Sequence, residues 1–507
     1  MRGRGRSAAA ELATLAAQPL ISVLMPVHDT EPRYLGEAIG SVQDQQYPNW
    51  ELIVVDDGSS RTDTLRAVER AVSRDTRITA RLLNRNSGIS RASNAGLELC
   101  RGELVAFLDH DDRLTEEALL RVAQSFDEHE IDVAYSDQEK ITADGARTDA
   151  FLKPDWSPVH ALGVMYVGHL LVARLELVSD VGGFDPAYDG IQDFELLLRL
   201  SERTQRIYHI PETLYQWRAI PGSIALSEGE KEDVPELQAR AVNEHLRRRG
   251  IAAEAIPHQA IPHRVRLRPS PRAARPAVDV VVVSRRDANG PFTPGRQANL
   301  AASRGDGEFI AFLGEDAEVV EPDWQEQLLL YAGIPGVGAV APTITRPDGR
   351  VEAAGVAIGL YDPAVPVLRG TPSSDDGYYG SLSCAREVSA AGMDCLLVRR
   401  SVFEELGGFE QAYSRQFGDF DLCLRIGELG LSVICAPSPR IISHTTEATR
   451  RSDFDLIDRA LFVDRWWERL EEGDPYYSRR FFREAADYTI SPFSGDPQQI
   501  AMREAVG

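Results

Sequence analysis

Three apolar runs near the amino terminus each stop abruptly at acidic residues. Ile21 to Pro26 is followed by His28-Asp29, Glu51 to Val55 by Asp56-Asp57-Gly58-Ser59-Ser60, and Leu104 to Leu108 by Asp109-His110-Asp111-Asp112. Short apolar runs separated by helix-length stretches read as buried parallel strands joined by helices, the opening of a doubly wound α/β sheet. Such a sheet binds ligands outside the carboxyl ends of its strands, which is where these acids fall. Asp109 and Asp111 stand two apart, so an extended backbone aims both the same way. Two converging carboxylates repel, and a hard divalent cation relieves that repulsion. On these residues alone, a solvated strand end with Asp112 capping the next helix reads equally well.

The helix from Ser90 carries Arg91 and Asn94 at its start. A helix amino terminus with an arginine in its first turn is a ready diphosphate site, although Arg91 also reads as an ordinary surface residue. The loop Phe151 to Pro158 holds Lys153, Asp155 and Trp156 and is expected near a substrate. Gln192-Asp193 opens a helix over Phe194 to Glu202, where Asp193 by itself reads as a cap. Tyr215-Gln216-Trp217-Arg218 ends the unit, and a helix over Val234 to Arg249 closes it.

The second half repeats the first. Gly102-Glu103-Leu104-Val105-Ala106-Phe107-Leu108 recurs as Gly307-Glu308-Phe309-Ile310-Ala311-Phe312-Leu313. Gly182-Gly183-Phe184 recurs as Gly407-Gly408-Phe409, and the run from Asp193 to Arg199 as Asp419 to Arg425. Three matches in one order indicate a duplicated α/β domain. The copy is incomplete: nothing corresponds to the region of Asp56-Asp57-Gly58, and the acidic strand end has become Gly314-Glu315-Asp316. Asp316, Asp419 and His444 remain and could still hold a metal. A structural or acceptor-handling role outweighs an independent catalytic one.

These features divide the chain into an arm (1–19), a first domain (20–250), a basic Pro-rich linker (251–277), a second, incomplete domain (278–450) and a helical tail (451–507). The formal net charge of −23 argues against nucleic acid, whose phosphates would be repelled. The linker's arginines fit acidic surface, with anionic lipid head groups as a second partner. Five cysteines form no C-x-x-C pair, which suggests reduced thiols and a cytosolic setting. The run Ala161 to Val178 is interrupted by His169, Arg174 and Glu176, and no membrane span is expected.

Taken together, Pro26-Val27-His28, Asp56-Asp57-Gly58-Ser59, the Asn86 to Gly96 stretch, Asp109-His110-Asp111, Gln192-Asp193 and Tyr215-Gln216-Trp217-Arg218 resemble family 2 glycosyltransferases of the GT-A fold. The likeness spans about residues 20–250, with a weaker one over 278–450. The tandem arrangement is similar to bacterial enzymes that build O-antigen, rhamnan or other surface polysaccharides. The resemblance implies two tandem GT-A domains, the second truncated, and a nucleotide-sugar site at Pro26, His28, Asp56, Asp57, Gly58, Arg91 and Asp109. In that reading Asp56 and Asp57 meet base and ribose, and Arg91 lies by the diphosphate. Asp109 and Asp111 hold Mg²⁺ or Mn²⁺, and Asp193 is the general base of an inverting transfer. Lys153, Asp155, Trp217 and Arg218 fall on the acceptor or product side. The implied acceptor is a glycan or lipid-linked glycan, which would bring a cytoplasmic enzyme to the inner face of the membrane. Gln216 stands where related sequences tend to carry His. A rival from another class is a non-catalytic subunit that binds glycan or partner proteins; a nucleotidyltransferase would place a Gly-rich basic loop where Pro26 to Asp29 stand.

Overall fold

The computed structural model describes residues 8–219, 234–271, 275–284, 293–445 and 456–491. Arg2, Arg4 and Arg6 of the arm lie outside them. The chain divides into two compact units, Met1–Trp156 with Met165–His245, and Ser157–Val164 with Leu246–Gly507.

The first unit holds β1 (Ile21–Val27), β2 (Trp50–Asp56), β3 (Ile78–Leu82), β4 (Leu104–Phe107), β5 (Arg113–Leu114), β6 (Val133–Ile141), β7 (Arg147–Phe151), β8 (Leu171–Arg174) and β9 (Ile207–Arg218). Among the described residues these make one sheet in the order β3-β2-β1-β4-β8-β6-β9-β5, with β7 paired to β6. β3, β2, β1 and β4 run parallel, β8 is antiparallel to both its neighbours, and β6 and β9 are parallel. Every residue of β2 is buried, as a strand covered on both faces requires. Helix α1 (Ala8–Leu12) precedes the sheet, and crossovers run through α2 (Pro32–Gln43), α3 (Thr62–Arg74) and α4 (Ile89–Leu97). In α2, Leu35, Ala38, Ile39 and Val42 form an apolar stripe that packs in one core with Val23 and Met25 of β1. The chain passes from β1 to β2 on one side and returns to β4 on the other. That reversal opens a crevice at the strands' carboxyl ends.

After α5 (Ala118–Glu128) and α6 (Pro158–Gly163, in the second unit), α7 (Leu175–Asp180) and α8 (Gln192–Arg203) flank the Gly182-Gly183-Phe184 turn. Asn94 of α4 grips this turn: its Oδ1 accepts from the Phe184 N–H at 2.8 Å and its Nδ2 donates to the Phe184 carbonyl at 2.8 Å. Arg199 of α8 donates to the carbonyls of Val181 and Gly183 while paired with Glu195. Gly183 has φ +68°, and a Cβ there would fall 2.5 Å from Asn94 Oδ1. Helix α9 (Val234–Arg249) follows.

In the second unit the basic stretch read as a linker is a two-stranded hairpin, β10 (Ala253–Pro257) with β11 (Val265–Pro269). Val265 and Leu267 are buried while Arg266 and Arg268 face out, so the arginines mark a period of two. The larger sheet contains β12 (Val278–Val283), β13 (Phe309–Gly314), β14 (Ala317–Val319) and β15 (Val337–Thr345). Short strands β16 (Val351–Ala353), β17 (Val356–Ile358), β18 (Ala364–Pro366) and β19 (Arg386–Val388) precede β20 (Cys395–Arg399) and β21 (Ser432–Ser443). Its order is β12-β13-β20-β15-β21-β14, with β12–β13 and β15–β21 the parallel pairs. This is the first sheet's order without β3 and β2.

Helices α10 (Pro294–Ala302), α11 (Trp324–Ala332), α12 (Arg400–Glu405) and α13 (Gly418–Glu428) repeat the grip on the glycine turn. Asn299 bonds both backbone groups of Phe409, and Arg425 donates to the carbonyls of Leu406 and Gly408 while paired with Asp421. Phe312 and Phe409 meet edge to face as Phe107 and Phe184 do. The duplication is therefore shared hydrogen-bond chemistry as well as shared sequence. With no counterpart of α2 among the described residues, Val280 and Val282 of β12 are exposed, at 44% and 64%. The tail helix α14 (Leu456–Glu472) ends earlier than its sequence pattern suggests, because Gly473 (φ +81°) turns the chain.

Asn94→Ala and Asn299→Ala are each expected to destabilise their own unit by roughly 1–3 kcal/mol, since each strands two backbone groups. Urea unfolding followed by probes in each unit checks this, and no loss in either variant would show that the grip is dispensable.

Candidate active site

The crevice of the first unit gathers the residues from the ends of β1, β2 and β4. His28 Nδ1 lies 3.1 Å from the Asp57 carbonyl, which only accepts, so Nδ1 carries the proton and Nε2 receives the Asn86 amide at 3.0 Å. Asp57 is consumed by the loop before α4. Its Oδ1 accepts from the Ser87 N–H and hydroxyl, and its Oδ2 from the Gly88 N–H. Gly58 (φ +68°) makes this possible, because a Cβ would sit 2.3 Å from the Arg85 carbonyl carbon. Asp56 is different. It is 1% exposed, its Oδ2 accepts from the Ser59 N–H, and its Oδ1 is buried with no hydrogen-bond partner among the described residues. A buried carboxylate oxygen left unpaired is costly, and this one can accept from a donor outside the protein.

The expected diphosphate site at the start of α4 changes. Asp189 Oδ1 accepts the Ser90 N–H at 3.1 Å and Asp57 takes those of Ser87 and Gly88, so these three amides around the helix start are spent within the protein. The exposed guanidinium of Arg91, which donates to the Ser87 carbonyl at 3.1 Å, remains the cation at that end.

The acidic turn after β4 is held from beneath. Arg218 is fully buried; its N–H donates to Asp112 Oδ1 at 2.7 Å, its Nε to the Asp111 carbonyl at 2.7 Å and its Nη2 to Glu37 Oε2 at 2.6 Å. The Tyr215 hydroxyl donates to Asp112 Oδ2 at 2.6 Å and accepts from the Asp109 N–H at 3.2 Å. Asp112 is thus fully used, leaving Asp109 and Asp111 as the carboxylates of the turn not spent in this clamp. His169 Nε2 lies 3.6 Å from Asp109 Oδ2, its ring stacked on Tyr215. Burial raises the Asp111 carboxyl, with the Asp109 charge adding to it and His110 opposing. Asp193, at the start of α8, is also pushed up by burial; His169 opposes this and Asp109 reinforces it. Among the described residues no three His, Cys, Asp or Glu side chains form a ready metal cluster. Asp109 and Asp111 do offer hard oxygen donors, the donor type that suits Mg²⁺ or Mn²⁺ when substrate oxygens complete the shell.

Two residues expected on the acceptor side are not available to a ligand. Arg218 is the clamp just described. Lys153 is 1% exposed, and its ammonium donates to the carbonyls of Val167 and His169, both at 2.5 Å; burial pulls its pKa down to about 7. Each cation is drawn inward because it satisfies carbonyls or carboxylates that would otherwise be buried unpaired. Asp155 is more than half exposed, with Oδ1 3.1 Å from His209 Nδ1. Trp217 is half-buried, with Lys140 Nζ 5.6 Å from its ring centre. Gln216 donates to Glu139 Oε1 at 2.7 Å.

The family model described as "Glycosyl transferase family 2" matches residues 22–158. TuaG of Bacillus subtilis (strain 168), whose name assigns it to teichuronic acid biosynthesis, is 30% identical over 41% of this chain and 82% of its own length. The chain belongs to glycosyltransferase family 2. The O-antigen biosynthesis protein RfbC of Myxococcus xanthus is 32% identical over 97% of this chain and 42% of its own length. The chain spans 59% and 42% of the two curated relatives it matches almost end to end. Among solved structures it is similar to Staphylococcus aureus TarS 1–349 in complex with UDP-GlcNAc, at 24% identity and a TM-score of 0.39, covering 45% of this chain and 66% of that one.

In this family 2 chain the second unit lacks the first unit's constellation. The strand-end position of Asp109 is Gly314, by the matching of Phe107 with Phe312. Asp419 is 6% exposed and accepts from the N–H groups of Met393 and Phe420. The His444 N–H donates to the Asp316 carbonyl at 2.9 Å, while its Nε2 faces Glu318 Oε2 at 2.7 Å, and among the described residues no metal-holding group of three forms. The structure therefore does not bring Asp316, Asp419 and His444 to a common point.

Sequence reasoning missed four supporting residues. Asp112 looked like a cap and His169 like an interruption in an apolar run, while Glu37 and Asp189 were not singled out. Their decisive partners lie from tens of residues to nearly two hundred away, as with His169 and Asp109, Asp189 and Ser90, Asp112 and Tyr215, and Glu37 and Arg218, so local pattern held no signal. Asp112→Ala, which unpairs a phenol and a buried amide, is expected to cost roughly 2–4 kcal/mol in urea unfolding of the first unit; a cost below about 1 kcal/mol would show that Arg218 holds the turn unaided.

Proposed function

We propose that the first unit is an inverting, metal-dependent glycosyltransferase that moves a sugar from a nucleotide-diphosphate donor to a hydroxyl of a growing or lipid-linked glycan in surface polysaccharide synthesis. The observation that carries this is the grouping at one sheet edge of an unpartnered Asp56 oxygen, the Asp109–Asp111 pair and an Asp193 whose carboxyl burial makes more basic. Asp56 receives a donor N–H of the base. His28 and Gly58 shape that end of the cleft, with Pro26 at the end of β1, and Arg91 faces the phosphates. Asp109 and Asp111 would hold the divalent cation, which supplies charge neutralisation to the leaving diphosphate. Asp193 takes the proton of the acceptor hydroxyl as its oxygen bonds to the anomeric carbon and the bond to the diphosphate breaks. One displacement from the opposite face inverts that carbon. Asp155 and Trp217 lie on the acceptor side.

The family membership and the O-antigen name of the Myxococcus relative support this reading. The second unit, with Asp419 spent on backbone, handles acceptor or supports the fold. A lipid-linked acceptor would bring the enzyme to the inner face of the membrane; no described helix is long and apolar enough to cross one.

Calorimetry with UDP, GDP and dTDP, with and without Mn²⁺, is expected to show metal-dependent binding of one nucleotide, weakened tenfold or more (about 1.4 kcal/mol) in Asp111→Ala. Binding of none would favour a non-catalytic glycan-binding subunit. Asp193→Asn should keep donor binding and lose transfer by about 10³-fold or more; transfer at near wild-type rate would remove Asp193 as the base. Because Asp193 must be ionised and burial raises its pKa, kcat should fall on acidification at a pH above the ordinary aspartate value of about 3.9. A flat profile down to that value would contradict the assignment.

A further inference from the structure

The tail helix α14 builds a feature that the transfer chemistry does not use. Residues of α14 and of the end of α13 line an open cleft of about 1150 Å³, which lies in the second unit. Two adjacent tryptophans there behave differently. Trp466 turns inward at a kink in the helix (φ −108°, ψ 15°), and its indole N–H donates to Asp421 Oδ1 at 3.1 Å. Asp421 is also the partner of Arg425, which grips the glycine turn, so Trp466 is fully explained by folding. Trp467 is not. It lines the cleft with 57% of its surface exposed. An indole more than half exposed inside a concave polar site leaves a ring face open to a ligand.

The surroundings specify the ligand. Tyr476, half-buried, lines the same cleft, as do Asp464, Glu468 and Arg469. Sugar rings present apolar C–H faces that stack on aromatic rings, and hydroxyls that bond to carboxylate and guanidinium groups. The acids outnumber the arginines in this lining, counting Glu428 and Glu472 beside Arg465 and Arg469. That balance repels an anionic polymer and favours a neutral one. The cleft is larger than the 300–1,000 Å³ typical of small-molecule sites, as several linked sugars need.

We infer that the α13–α14 cleft, with Trp467 as its stacking platform, is a secondary binding site for a neutral glycan chain. This rests on the proposed function, since the glycan it holds is the growing acceptor. Holding the chain at a second point raises the local concentration of its end at the transfer site, in the manner of any bivalent contact.

The test presents the full chain to immobilised neutral hexasaccharides of glucose, mannose, galactose, rhamnose and N-acetylglucosamine, with a uronic-acid hexasaccharide as the anionic control. At least one neutral glycan should be captured, Trp467→Ala should weaken capture about tenfold, and Trp467→Phe should retain most of it. Nucleotide binding should be unchanged in both variants. Capture of no neutral glycan, or capture indifferent to Trp467→Ala, overturns the inference, as does a change in sedimentation caused by Trp467→Ala, which would make the indole a subunit contact. Nucleotide binding without glycan capture would sink this site alone. Glycan capture without nucleotide binding would sink the transferase reading and leave the site standing.

Discussion

A guanidinium with no solvent exposure organises the catalytic edge of this protein. Arg218 reaches the carbonyl of Asp111, the carboxylates of Asp112 and Glu37 and the face of Tyr34 from a single position at the end of β9. Three aspartates in four residues would otherwise splay apart by repulsion. The Arg218 backbone N–H and the Tyr215 hydroxyl bind the carboxylate of the one that points inward, the guanidinium binds the Asp111 carbonyl, and together they fix where the other two stand. A buried charge of this kind is tolerable only because nearly all of its donors are satisfied. That is why it is found beneath the site and not on the acceptor side of it.

The two units show which parts of a duplicated fold are structural and which are chemical. Both keep the asparagine and arginine that grip a Gly-Gly-Phe turn, the edge-to-face phenylalanines and the central strand order. Only the first keeps the outer strands that carry Asp56 and Asp57, and only the first leaves its helix-opening aspartate clear of a second backbone donor: Asp419 Oδ2 is taken by Met393. The matches that reveal the repeat in sequence are mostly the gripping residues. They say little about activity, and the differences between the two units at the site had to be read from what their acids touch.

Much of the fold was legible beforehand. Alternating apolar runs and helix periods gave the parallel opening of the first sheet, and the repeat gave the second. The hairpin over residues 253–269 was obscured because alternating arginines look like a linker when charge is read without its period. The site was half legible. Asp56, Asp109, Asp111 and Asp193 stand at strand or helix ends, where local pattern can find them. Lys153 and Arg218 were misplaced, because a basic residue in a loop or strand looks the same whether its head is in solvent or in the core.

What the sequence alone determined is the set of carboxylates at the strand ends and their order, because strand period and helix start are local properties of the chain. Only the tertiary structure decided which of those carboxylates remain available. Asp57, Asp112 and Asp419 are each consumed by hydrogen bonds to groups distant in sequence, while Asp56 keeps an oxygen without a partner. A carboxylate's chemistry depends on what already neutralises it, and those partners are set by how the sheet brings remote segments together.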